Sequence, residues 1–248
     1  MAGLALALAA TAFPIPAAMT LDAGAPAVVV DYGVRTDAYR VVGDASLLSQ
    51  RYTPGSTFKL IIAAVALESG DLTEATAIPC RANGSTPSSK TLLTPSQALR
   101  DSNDDFFSQV VKRTGYEPIR QFLLETRYAS AVPDAVGSFA DLARGEPIRV
   151  SVFEQNLFLQ AFLRRTLPLR PGTYRILEKW LVVEAGKPAW GKAGTGEFAA
   201  EPPRYVSWFN GVAWLSDGPH VITVAALASQ PDPVAPERFR RYLSGRRQ

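Results

Sequence analysis

Ser56 and Lys59 stand three residues apart at the head of an apolar run, Leu60-Ile61-Ile62-Ala63-Ala64-Val65-Ala66-Leu67, with Pro54-Gly55 just before them and Gly70 after. Pro54-Gly55 fits a turn and Gly70 a C-cap, so the spacing predicts a largely buried helix with Ser56 in its first turn. Positions three apart on a helix are neighbours, which brings the hydroxyl and the amine together. A serine hydroxyl is a weak nucleophile until a nearby base takes its proton. Lysine is that base only when something displaces it from its charged form. Burial disfavours the ammonium, and a helix N-terminus favours negative charge developing on Ser56. The implied chemistry is attack on an acyl group. Two plainer readings stand beside it: Ser56 caps the helix, and Lys59 snorkels to the surface.

Two other segments carry groups that such chemistry needs. Ser102, in Ser102-Asn103-Asp104-Asp105-Phe106-Phe107, supplies a second hydroxyl able to relay a proton to a leaving amine; its alternative role is to cap the helix running to Gly115. Lys192-Ala193-Gly194-Thr195-Gly196 reads as a strand whose small residues, Gly194 among them, let another backbone approach closely. Lys192 offers positive charge for a carboxylate and Thr195 a hydroxyl. An N–H of this strand joins that of Ser56 against a tetrahedral oxyanion. The alternative is a glycine-rich turn with a solvated lysine.

Other chemistries are poorly supplied. Cys80 is the single cysteine and His220 the single histidine, so neither an internal disulfide nor a Cys/His zinc site is expected, and no metal is assigned. A Ser-His-Asp triad would have to use His220, which follows Asp217-Gly218-Pro219 in an apparent hairpin turn. Cys80 reads as a buried or loop residue. The net charge of +3 is dispersed apart from Arg238, Arg240, Arg241, Arg246 and Arg247, too small a cluster to imply a nucleic-acid partner.

The elements that position these groups follow from periodicity. At 248 residues and 47% hydrophobic composition, the chain has ample material for one large core. Met1 to Met19 is uncharged and rich in Ala and Leu, similar to the apolar part of an export signal. Residues 1–24 are therefore set apart as a signal peptide or leader, with a shortened membrane anchor and a cytoplasmic chain as alternatives. Residues 25–248 are read as a single two-lobed domain. Strands are predicted from Ala27 to Tyr32, Ala38 to Val42, Lys192 to Phe198, Arg204 to Leu215 and His220 to Ala228, the last two joined by Asp217-Gly218. Between them lie a polar loop, Arg81 to Lys90, and a helical stretch, Thr94 to Val183, with capping boxes at Thr94-Pro95-Ser96-Gln97 and Ser151-Val152-Phe153-Glu154. A closing helix covers Ala235 to Leu243. This order argues for an α+β fold: a central antiparallel sheet formed from both chain ends, flanked by helices, with an inserted all-helical lobe and a cleft between lobes.

Ser-x-x-Lys, then a Ser-x-Asn-like and a Lys-Thr-Gly-like segment, resemble in that order the penicillin-recognising serine enzymes: serine β-lactamases, penicillin-binding proteins and their sensor relatives. Gln50 to Lys59 is similar to the nucleophile segment of class D β-lactamases, the oxacillinases. Ser151-x-x-Glu154-Gln155 with Phe158-Leu159 resembles their Ser-x-x-Glu-Gln helix, and Trp208-Phe209-Asn210-Gly211 their Trp-x-x-Gly strand. The likeness spans Ala25 to Leu243. It implies that Ser56 is acylated, that Lys59 captures carbon dioxide as a carbamate base, and that Ser102 relays protons. It also implies that Lys192 and Thr195, beside Gly194, hold a substrate carboxylate, that the amides of Ser56 and Thr195 form the oxyanion hole, and that a C-terminal arginine assists. No other cofactor is implied. The substrates would be a β-lactam or a peptidoglycan peptide, met in the periplasm or outside the cell, with membrane contact only if the N-terminal segment is retained. A D,D-peptidase and a non-hydrolysing, sensor-like or degenerate relative share these motifs. Oligomeric state is not encoded in them.

The departures from the family pattern are specific. Lys-Thr-Gly is Lys192-Ala193-Gly194, Tyr-Gly-Asn is Tyr128-Ala129-Ser130, and the tryptophan that shelters the modified lysine is absent around Phe139 to Leu142. Ser-x-Val becomes Ser102-Asn103-Asp104, placing a carboxylate where an apolar side chain guards that lysine. If Asp104 faces Lys59 it favours the ammonium and repels a carbamate, leaving acylation intact and hydrolysis slow. A one-residue shift in alignment would set Asp101 and Asn103 at the motif positions and take Ser102 out of its role.

Overall fold

Alternating strands at the two ends of the chain close into one sheet. The computed structural model describes residues 26–81, 90–182 and 189–246; the expected leader and most of the 81–90 loop lie outside them. The chain begins with β1 (Ala27–Gly33) and β2 (Ala38–Gly43), then α1 (Lys59–Ser69), β3 (Ile78–Arg81) and β4 (Lys90–Leu93). Helices α2 (Pro95–Arg100), α3 (Asp104–Thr114), α4 (Tyr116–Thr126), α5 (Phe139–Ala143), α6 (Val152–Leu163) and α7 (Pro171–Trp180) follow. It ends with β5 (Ala189–Ala200), β6 (Pro203–Leu215), β7 (Gly218–Ala228) and α8 (Val234–Arg246). The five-stranded sheet has the order β2-β1-β7-β6-β5, and each adjacent pair is antiparallel. The α+β architecture read from the sequence is therefore present, with one addition: β3 and β4 form a separate two-stranded sheet within the inserted segment.

Period-two alternation assigns the two faces of the sheet. Val28, Val30, Trp208, Val212, Val221 and Ala225 pack in the cluster that holds α1 and α6, while Val29, Phe209, Ala213, Ile222 and Val224 pack with Phe239 and Leu243 of α8. Lys59 through Leu67 are all buried, as a helix apolar on every side must be. Gly70, at φ +83°, closes α1 in the left-handed conformation that glycine adopts without strain. Both predicted capping boxes form, Thr94 with Gln97 and Ser151 with Glu154. Among the described residues, no helix is long and apolar enough to cross a membrane.

Candidate active site

Ser56 sits in a 3-10 turn, Gly55–Phe58, that runs directly into α1. Gly55 takes φ +55°, and Pro54 flanks the turn without a side-chain cap, so Ser56 is not spent on capping. Lys59 does not snorkel. It is fully buried, and its Nζ lies 2.8 Å from Ser56 Oγ and 2.6 Å from Asp104 Oδ1. Burial pushes the Lys59 amine below the ordinary lysine range, a shift that the neighbouring Asp104 opposes and the Arg144 cation reinforces. Asp104 itself is 44% exposed, so the pair bridges the dry interior and solvent.

Ser102 lies between α2 and α3 with φ +53°, and the capping role falls to Asn103. Asn103 Oδ1 accepts from the Phe106 N–H at 2.8 Å, and its Nδ2 donates to the Arg81 carbonyl at 2.8 Å. Ser102 is thereby left to face β5, where the buried Lys192 Nζ donates to its hydroxyl and, at 2.7 Å, to the Ala193 carbonyl. Lys192 is 5% exposed, not solvated; burial first, then the nearby Lys59, push its amine down to about 7. The sign follows. Its folded value lies below the unfolded one, so the cost of burying the charge is full below about pH 7 and is relieved as pH rises towards the unfolded value. Denaturant titrations at pH 7, 8 and 9 should show stability rising in the native protein, and a shallower rise in Lys192→Met.

Close backbone approach joins β5 to the serine turn. A Cβ on Gly194 would come within 2.7 Å of the Thr57 nitrogen, 2.9 Å of the Pro54 carbonyl and 3.0 Å of the Ser56 nitrogen. A Cβ on Gly55 would strike the Thr195 carbonyl oxygen at 2.4 Å. The sequence thus needs glycine on both sides of this contact, and Gly194 acts by what it lacks. Gly194→Ala is expected to cost about 1–3 kcal/mol of stability through overpacking against backbone that has little room to yield, measured as a lower urea midpoint.

The opposite wall is the segment 144–150. Tyr52 and Val150 exchange backbone hydrogen bonds at 2.9 and 2.8 Å, and Thr53 Oγ1 donates to the Gly145 carbonyl at 3.0 Å. The cleft so formed has a volume of about 580 Å³ and is lined by Ser56, Asp104, Arg144, Arg149, Thr195 and Phe198, among others. Arg144 is held by Asp141 and Glu146, each at 2.6 Å, while Arg149 Nη1 donates to the carbonyls of Glu146 and Ile148.

The sequence reading looked for the cleft's arginine in the C-terminal cluster. No described member of that cluster lines the cleft. Arg246 reaches Asp31 and Asp217 at 3.5 and 3.4 Å, and Arg241 pairs with Glu237 at 2.6 Å. Arg144 and Arg149 stand there instead. The segment they flank is brought to the serine by its backbone pairing with Tyr52, a contact between distant positions that no local pattern in the sequence records.

Beneath the serine lies a buried polar network. Gln155 of α6 bonds with Thr57, Tyr128 and Asn210, so the Ser-x-x-Glu-Gln, Tyr-x-x and Trp-x-x-Gly segments converge under one turn. Trp208 Nε1 adds a bond to the Thr53 carbonyl at 2.8 Å. His220 is elsewhere, between Asp31 at 2.7 Å and Asp217 at 2.8 Å, and forms no triad with Ser56. Cys80 is buried on β3, its thiol pushed up to about 11 by burial.

Residues 33–243 match a family model described as the penicillin binding protein transpeptidase domain. Solved structures superpose over most of their length. A class D β-lactamase, YbXI from Nostoc, aligns with TM-score 0.78 at 21% identity over 89% of this chain and 93% of that one. A class D β-lactamase from Bacillus subtilis gives 0.76 at 19% identity, covering 90% and 92%. The C-terminal domain of the BlaR penicillin-receptor of Bacillus licheniformis gives 0.72 at 19% identity, covering 84% and 85%. At these identities the likeness shows the fold. Among curated proteins the sequence has no match.

Proposed function

Because the chain belongs to the penicillin-binding-protein transpeptidase family, we propose that it is a serine hydrolase, class D-like, that opens β-lactams through an acyl-enzyme on Ser56. The observation that carries this reading is the 2.8 Å contact between Ser56 Oγ and the buried Lys59 Nζ at the floor of an open cleft. An amine whose charge is disfavoured by burial takes the Ser56 proton, and Oγ adds to the lactam carbonyl. The amides of Ser56 and Thr195, on the two backbones that Gly55 and Gly194 allow to meet, stabilise the oxyanion. The lactam C–N bond breaks as Ser102 gives its proton to the departing nitrogen, and Lys192, bonded to Ser102, makes good that proton. A substrate carboxylate pairs with the cations of the cleft. Arg149 is the better placed of the two arginines, since Arg144 already holds two carboxylates.

The same acylation machinery accepts a cell-wall peptide, so a D,D-peptidase is the second reading; nothing in the first step distinguishes the two amides. Either substrate would be met outside the cytoplasmic membrane, in the periplasm or beyond. Incubation with a chromogenic cephalosporin, followed by colour and intact mass, tests the proposal. Continuous colour change or an adduct mapped to Ser56 supports it, and the absence of both rejects it.

A further inference from the structure

We propose that Asp104 is the base that activates the deacylating water, a resident carboxylate doing without carbon dioxide what a carbamate on Lys59 would do. The inference rests on acylation of Ser56 as argued above. A carbamate on Lys59 would hold its oxygens about 2.3 Å from Nζ, given a C–N bond of ~1.33 Å and a C=O bond of ~1.23 Å. The Asp104 carboxylate already places an oxygen 2.6 Å from that atom. Burial leaves Lys59 able to serve as the neutral amine that acylation needs, but a carbamate built on that amine would put a second carboxylate group against the one already there, and two so close would oppose each other's ionisation. The surroundings of Lys59 therefore do not fit the carbamate.

They fit its replacement. Asp104 is the first residue of α3, held by the Asn103 cap, so its carboxylate is fixed on a helix end and not on a loose loop. It lines the same cleft as Ser56 and Thr195, and its side chain is 44% exposed, which admits water. Two departures from the family pattern then have one cause. A carboxylate built into the chain cannot dissociate, so neither an apolar guard at position 104 nor a sheltering tryptophan is needed. The space near α5 instead holds buried Leu142 and the cleft-lining Arg144.

The step balances. Asp104 takes a proton from water as the water oxygen adds to the ester carbonyl of acyl-Ser56. The tetrahedral intermediate collapses with cleavage of the bond to Oγ, which receives a proton from the Lys59 ammonium. Asp104 then gives its proton up to solvent, which leaves Lys59 neutral for the next acylation; Lys192 takes back from solvent the proton it passed to Ser102, and the product acid ionises.

The test follows the chromogenic cephalosporin with the full chain, in buffer stripped of carbon dioxide and in buffer with added bicarbonate at equal pH. Wild-type turnover should be the same in both. Asp104→Asn, checked for native stability by thermal melting, should still acylate while deacylation falls at least about 100-fold, so that the Ser56 adduct accumulates. Asp104→Val should show turnover only with bicarbonate, since the apolar residue restores the setting in which Lys59 can be carboxylated. Wild-type turnover that disappears without carbon dioxide would overturn the inference. So would an Asp104→Asn enzyme that deacylates at the native rate, or a wild type that acylates and never turns over. Each of these leaves acylation of Ser56 standing, whereas a wild type that neither takes an adduct nor turns over removes the reading beneath the inference as well.

Discussion

Ser56→Ala is expected to leave no covalent adduct and to reduce cephalosporin turnover by at least about 10⁴-fold, because it deletes the atom that forms the acyl bond. The fold should survive. Ser56 is only partly buried, and its hydroxyl accepts from Lys59 without serving as a cap. Lys59 keeps its contact with Asp104 when that hydroxyl is gone. Intact mass after incubation with excess cephalosporin, beside an unchanged thermal melt, separates loss of chemistry from loss of structure. An adduct on Ser56→Ala would place the nucleophile elsewhere and dismantle the mechanism.

Lys59→Met is the second large effect, and its two readouts should move in opposite directions. Acylation should slow by about 10²–10⁴-fold, the usual range for losing a positioned base. Stability should hold or rise by about 1 kcal/mol, because a fully buried amine is replaced by an apolar chain of similar length. The usual penalty for orphaning a buried partner is weak here, since the Asp104 side chain is 44% exposed and is solvated once the amine is gone. A protein that is both inactive and severely destabilised would instead assign Lys59 to structure.

Much of this site was legible in the sequence because its key contact is local. Ser56 and Lys59 are separated by one turn, the apolar run after them buries the amine, and Gly70 stops the helix. The strands at both chain ends were equally readable from alternation and from the turn before Gly218. The segments β3 and β4 were not. Four residues each, with Pro79 inside the first, they carry too short a pattern to stand out from a polar loop. The plainer sequence reading of Ser102 places the cap of α3 there; the left-handed φ of Ser102 and the bond that Asn103 Oδ1 accepts from the Phe106 N–H give the cap to Asn103 instead. The positions of Lys192, Arg144 and Arg149 depend on pairings between distant segments, which no single-sequence period records.

The strand that walls the serine turn enters the sheet only through β6 and β7, which join β1 from the other end of the chain. On the proposed mechanism, reactivity at Ser56 is accordingly a property of the complete sheet. A chain still emerging from the ribosome, or one clipped between α7 and β5, carries the nucleophile and its amine but lacks the surface opposite them. Labelling by a fluorescent penicillin would therefore count finished molecules, and its loss during denaturation should coincide with cooperative unfolding.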